Sequence, residues 1–245
     1  MTRTLGLIGS GAIGSAIARS AVGAGWHVVV SNSRGPQTLV DLVAELGPLA
    51  RAATPAEAAE AADLVVSAIP LARYEQLPRA ALAGKTVIDT MNYAPAFTGW
   101  SRPELDADEL TSSELVQRFL AGSHVVKAFH NVNGRLLREL PRPAGAPDRT
   151  ALPVTGDDPD AKKRVAELLD AIGFDAVDVG ALAESWRVGP NTLLYFPAYV
   201  GEIPPGLSLP ELQAWLATVP LNPVPAAEVA RLAATTERQP AGFQL

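Results

Sequence analysis

The chain has 245 residues, with 20 Lys+Arg against 26 Asp+Glu, a formal net charge of −6, and 48% hydrophobic residues. That is too apolar for a disordered chain and long enough for one large α/β domain or a domain with a smaller lobe. The acidic balance argues against a broad nucleic-acid or anionic-membrane surface. The absence of Cys excludes disulfides, thiolate metal sites and thiol catalysis. His27, His124 and His130 are not spaced as a metal site.

Met1-Thr2-Arg3-Thr4 leads at once into Leu5-Gly6-Leu7-Ile8, a run far too short to cross a bilayer and unlike a signal peptide. A cytoplasmic protein is expected. Short apolar runs then alternate with helical patterns. Strands are expected over residues 5–8, 27–31, 64–68, 86–89, 125–129, 152–155 and 176–179. Helices are expected over 12–24, 36–46, 55–61, 74–81, 112–120 and 159–172. Thr54-Pro55 with Glu57, and Asp158-Pro159, are helix starts. Strands apolar on both faces, such as Val65-Val66 and Val87-Ile88, with helices between them, predict a Rossmann-type α/β fold: a doubly wound parallel sheet. After about residue 185 Pro and Gly become frequent. Residues 1–185 are therefore read as a nucleotide-binding domain with added strands. Residues 186–245 are a small C-terminal lobe or extension, helical only near 211–217 and 226–235, at a dimer interface or substrate cleft.

Gly9-Ser10-Gly11-Ala12-Ile13-Gly14 follows the first strand and opens the first helix. Gly9 suits the tight turn, Gly11 the close approach of a pyrophosphate, and Gly14 the packing of helix on strand. An NAD site places an acid about 20 residues on; here the run is Ser31-Asn32-Ser33-Arg34, hydroxyls, an amide and a guanidinium suited to a 2′-phosphate. This predicts NADP(H). Ala68-Ile69-Pro70 and Asp89-Thr90-Met91-Asn92 end later strands where such folds bind ligands, so both are expected near the nicotinamide. Lys127, within an apolar strand, must reach the sheet edge or a carboxylate.

Taken together with Val125-Val126-Lys127-Ala128-Phe129-His130-Asn131 and the later Leu152–Asp158 and Asp178–Leu182 segments, these motifs resemble the NADPH-dependent reductases of coenzyme F420. The nucleotide-binding domain of those reductases is in turn similar to that of the STEAP metalloreductases. The resemblance covers roughly residues 4–188. It implies that Ser33 and Arg34 bind the 2′-phosphate, that Ile69-Pro70 lies at the nicotinamide, and that Ala128-Phe129-His130 lies beside a deazaflavin ring. It also implies a homodimer with a C-terminal lobe over the cleft. Gly35-Pro36-Gln37-Thr38 lacks a Lys that some members carry, and the Pro-rich tail departs from their helical ending.

Hydride transfer between two such cofactors asks the protein mainly for alignment. His130 is the expected catalytic-site residue, orienting the ring, with a backbone-bonded strand-end His as the alternative. His27 and His124 read as structural. Trp186, Tyr195, Phe196, Tyr199 and Trp215 are the candidate substrate-facing or interface aromatics. Two other function classes remain open: a reductase of a small carbonyl or imine, with Tyr93, His130 or Tyr195 as proton donor, and a non-catalytic dinucleotide sensor. No membrane or nucleic-acid partner is expected.

Overall fold

The computed structural model describes residues 3–242. The Met1-Thr2 start and the last three residues of the expected extension lie outside the described residues. Among the described residues eight strands form one sheet in the order β3-β2-β1-β4-β5-β6-β7-β8: β1 Thr4–Ile8, β2 His27–Ser31, β3 Ala50–Ala52, β4 Leu64–Ser67, β5 Thr86–Asp89, β6 His124–Lys127, β7 Ala151–Gly156 and β8 Asp175–Gly180. The chain reverses direction across the sheet between β1 and β4, and a ligand crevice opens at the carboxyl ends of the strands there.

Side chains alternate across the central strands. Leu5, Leu7, Val28, Val30, Val66, Ile88 and Val126 enter one core. Ile8, Val65, Val87 and Val125 enter the other. Both faces are covered by helices, as a parallel sheet requires. Helix α1 (Ala12–Gly23) and helix Pro159–Ala171 cover the first face, and helix Ser112–Phe119 covers the second. Reciprocal caps close the N-termini of several helices, Thr54 with Glu57 and Thr111 with Glu114 among them.

One expectation is corrected. β7 runs antiparallel to β6, with Lys127 opposite Thr155, and is parallel only to β8. The connection through helix Gly134–Glu139 leaves the chain at the carboxyl edge, so β7 enters from that edge and runs back. The tail packs against the sheet. Tyr199, Val200, Val224, Val229 and Leu232 share the core of β1 and β2, and Ala151 donates a backbone hydrogen bond to the Val224 carbonyl (2.7 Å). Its two expected helices are present as Leu209–Thr218 and Ala226–Thr235. Strand β3 escaped the sequence pattern because Ala-Arg-Ala at a sheet edge carries almost no apolar signal.

Candidate active site

The glycine turn sits at the crossover between β1 and β4. Gly9 has φ of +110°, and a Cβ there would strike the Ala68 carbonyl. A Cβ on Gly14 would strike the Gly9 carbonyl, so this glycine seats α1 against the turn. Gly11 differs from both: a Cβ on it meets nothing within 4 Å. Space is kept open in front of it. Gly11 caps α1 with no side-chain hydrogen bond, and no acid occupies the first turn. The backbone N–H groups and the positive helix end are thus left for an anion.

At the end of β2, Ser33 and Arg34 are exposed. The backbone beneath them is held by Asn32. Its amide nitrogen donates to Thr38 Oγ1 (2.9 Å) and Ser10 Oγ (3.2 Å), and its oxygen accepts from the Arg34 N–H (2.9 Å). Asn32 is 8% exposed and its side chain is turned inward. Ser31, expected at the cofactor, is corrected: it is fully buried and its hydroxyl donates to the Leu7 carbonyl (2.7 Å).

A 370 Å³ cleft runs from Gly11, Ala12 and Ile13 along Ala68, Ile69 and Pro70 to Asn92 and Trp100. The structure therefore brings the glycine turn, the β4 end and the β5 end to one cavity. Asn92 closes it: its side-chain nitrogen donates to the His130 carbonyl (2.8 Å) and to Tyr195 Oη (3.0 Å), which ties the tail to the sheet edge. A larger groove of 1120 Å³ lies between α1 and helix Gly134–Glu139. Its arginines Arg19, Arg135, Arg138 and Arg142 are paired with Glu45, Glu139 and Asp148, and no strand end lines it.

The β6 end departs most from expectation. Ala128 is fully buried within the core and offers no surface to a cofactor. Phe129 is buried with φ of +60°, a strained geometry for a bulky residue. His130 does not line the 370 Å³ cleft. It is 3% exposed, and its Nε2 donates to the Val188 carbonyl (2.7 Å), as in the backbone-bonded alternative. Burial, reinforced by the Lys127 charge, pushes its pKa down to about 3, so the ring is neutral. It cannot serve as an acid near neutral pH. Tyr93 and Tyr195 are likewise engaged, Tyr93 with Asp106 (2.5 Å) and Tyr195 with Asn92. Burial raises the pKa of both phenols.

Lys127 finds a carboxylate. Its ammonium is 3.3 Å from Asp89 Oδ2 and also donates to the Met91 carbonyl, while Asp89 accepts from Ser113 Oγ (2.7 Å) and the Met91 N–H (2.9 Å). Sequence reasoning missed Asn131, which is buried and donates to the Leu194 carbonyl (2.8 Å) and Tyr199 Oη (3.2 Å). It also missed helix Gly134–Glu139. Asn133 caps that helix, and an Asn shortly past a strand end followed by Gly was the available signal. Among the described residues there is no cluster of His, Cys, Asp or Glu that could hold a metal ion, and no helix long and apolar enough to cross a membrane.

Residues 4–93 match the family model for coenzyme F420-dependent NADP oxidoreductase. The hypothetical protein SMa0349 from Sinorhizobium meliloti is 32% identical, with a TM-score of 0.66, covering 76% of this chain and 88% of that one. A protein from Arthrobacter sp. FB24, provisionally named an F420-dependent NADP reductase, is 26% identical with a TM-score of 0.63, covering 76% and 87%. Metalloreductase STEAP3 of Rattus norvegicus is 29% identical over 80% of this chain, which spans only 37% of the STEAP3 length.

Proposed function

Because the chain belongs to the coenzyme F420-dependent NADP oxidoreductase family and is an NADP-dependent oxidoreductase, we propose that it passes a hydride between NADP(H) and a deazaflavin of the coenzyme F420 class or a related flavin. The observation that carries this reading is the pairing of an open, uncapped helix start at Gly11 with the exposed, acid-free Ser33-Arg34 turn. The residues present fit a phosphorylated dinucleotide. Gly11 and the first turn of α1 would receive the pyrophosphate, and Ser33 and Arg34 the 2′-phosphate. Ala68, Ile69 and Pro70 would form the wall beside the nicotinamide, with Asn92 at its end. The bound nicotinamide would supply the hydride chemistry; the chain would supply alignment.

This reading asks for no protein acid. That suits a chain in which His130 is neutral and away from the cleft and both candidate tyrosines are bonded to protein partners. A homodimer belongs to the same reading and is checked by sedimentation. The decisive experiment is anaerobic mixing of the protein with NADPH and purified deazaflavin coenzyme. Loss of the deazaflavin absorbance is expected. An unchanged acceptor at high protein concentration, with NADPH demonstrably bound, would overturn the reading in favour of a small-carbonyl or imine reductase or a nucleotide sensor.

A further inference from the structure

We propose that Asn32 is a positioning residue for NADP(H) selectivity: without touching the nucleotide, it fixes the turn that presents Ser33 and Arg34 to the 2′-phosphate. It rests on the reading of that turn as the phosphate contact. The side chain is almost fully buried, and both ends of its amide are bonded within the chain. One end reaches Ser10 of the glycine turn and Thr38; the other holds the Arg34 N–H. Thr38 is itself pinned to the Gly35 carbonyl (2.8 Å), so the whole Asn32–Thr38 turn closes around one amide.

The geometry makes Asn32 a cross-brace between the pyrophosphate turn and the 2′-phosphate turn. Without it, Arg34 loses its backbone anchor and must pay the entropy of ordering when the phosphate arrives. The glycine turn keeps its own ties. Gly9 donates to the Ser31 carbonyl (3.0 Å), and Ser15 Oγ donates to the Ser10 carbonyl (3.0 Å). Loss of Asn32 therefore falls on the 2′-phosphate and spares NADH. An amide also does here what a carboxylate could not. The carboxylate of an Asn32→Asp variant would still accept from Arg34 N–H and from the Ser10 and Thr38 hydroxyls, but would set a negative charge beneath a phosphate.

The test is a double-mutant cycle read by calorimetric titration of NADPH and NADH. Arg34→Ala is expected to weaken NADPH at least tenfold in the parent, but less than threefold in an Asn32→Ala background. Asn32→Ala alone is expected to weaken NADPH at least tenfold and NADH less than threefold. Equal, additive losses from Arg34→Ala in both backgrounds overturn the positioning role. An unchanged NADPH affinity on Arg34→Ala in the parent instead defeats the 2′-phosphate reading itself. Should Asn32→Ala not fold, Asn32→Asp decides: NADPH weakened at least tenfold with NADH within threefold supports the proposal, and parent-like NADPH binding overturns it.

Discussion

At the scale of single residues, the candidate site separates exposed groups, proposed to meet the nucleotide, from buried groups that hold the chain. Arg34 is exposed and offers its guanidinium to solvent; in the proposed 2′-phosphate role its removal would delete a charge-assisted contact worth about 1.5–3 kcal/mol. Arg34→Ala is accordingly expected to raise the NADPH dissociation constant about 10- to 100-fold and leave NADH nearly unchanged, as measured by calorimetry. Gly11 has extended backbone geometry and empty space where a Cβ would go. Gly11→Val should therefore keep the melting temperature within a degree or two while nucleotide binding is lost; retained binding would reduce the turn to a structural device. His130 makes a prediction about pH. Its pKa is about 3 in the fold and about 6.5 when exposed, so in that window the unfolded chain binds a proton the native one does not. Stability therefore falls as the pH drops below 6.5, by up to about 1.4 kcal/mol per pH unit from this group. His130→Gln, which keeps a donor for Val188, is expected to flatten denaturation profiles between pH 7 and 5.

At the scale of elements, the tail is bound by specific polar contacts as well as by apolar burial. Tyr199 is fully buried, accepts from Asn131 and donates to the Ala151 carbonyl (3.3 Å). Tyr199→Phe leaves Asn131 and Ala151 short of a partner at nearly constant volume. A loss of about 1–3 kcal/mol in urea unfolding is expected, with NADPH affinity unchanged. The strands that build the nucleotide half were legible because Val65-Val66, Val87-Ile88 and Val125-Val126 are apolar on both faces, a pattern only a doubly covered sheet explains. The glycine turn and Ser33-Arg34 were legible because their chemistry is local. The reversal of β7 and the bonds from Asn92 to Tyr195 and from Asn131 to Tyr199 were not. They link residues 103 and 68 positions apart, and no local pattern encodes such a meeting. The partner of His130 was hidden for the same reason: Val188, which accepts its hydrogen bond, is 58 residues away.

At the scale of the whole molecule, a buried ion pair ties two neighbouring central strands to the helix that covers them. Lys127 on β6 meets Asp89 on β5, and Asp89 in turn holds Ser113 of the covering helix. Lys127→Met leaves that carboxylate without its countercharge in the interior, and a destabilisation of about 3–5 kcal/mol is expected from chemical denaturation. Asp89→Asn in the Lys127→Met background should recover part of it. The net charge of −6 is compatible with an anionic ligand because positive groups are concentrated locally, at Arg34 and at the start of α1. The two outer strands carry a last consequence. β3 is three residues long with an exposed Arg51, and β8 bears Asp175 and Asp178, paired to Arg149 and Lys162. Short length on one margin and charge on the other make poor templates for an incoming strand. The sheet is thereby finished at both ends. Association of two copies by extending it is disfavoured, and molecules opened by heat have less chance of joining into fibrils through these margins.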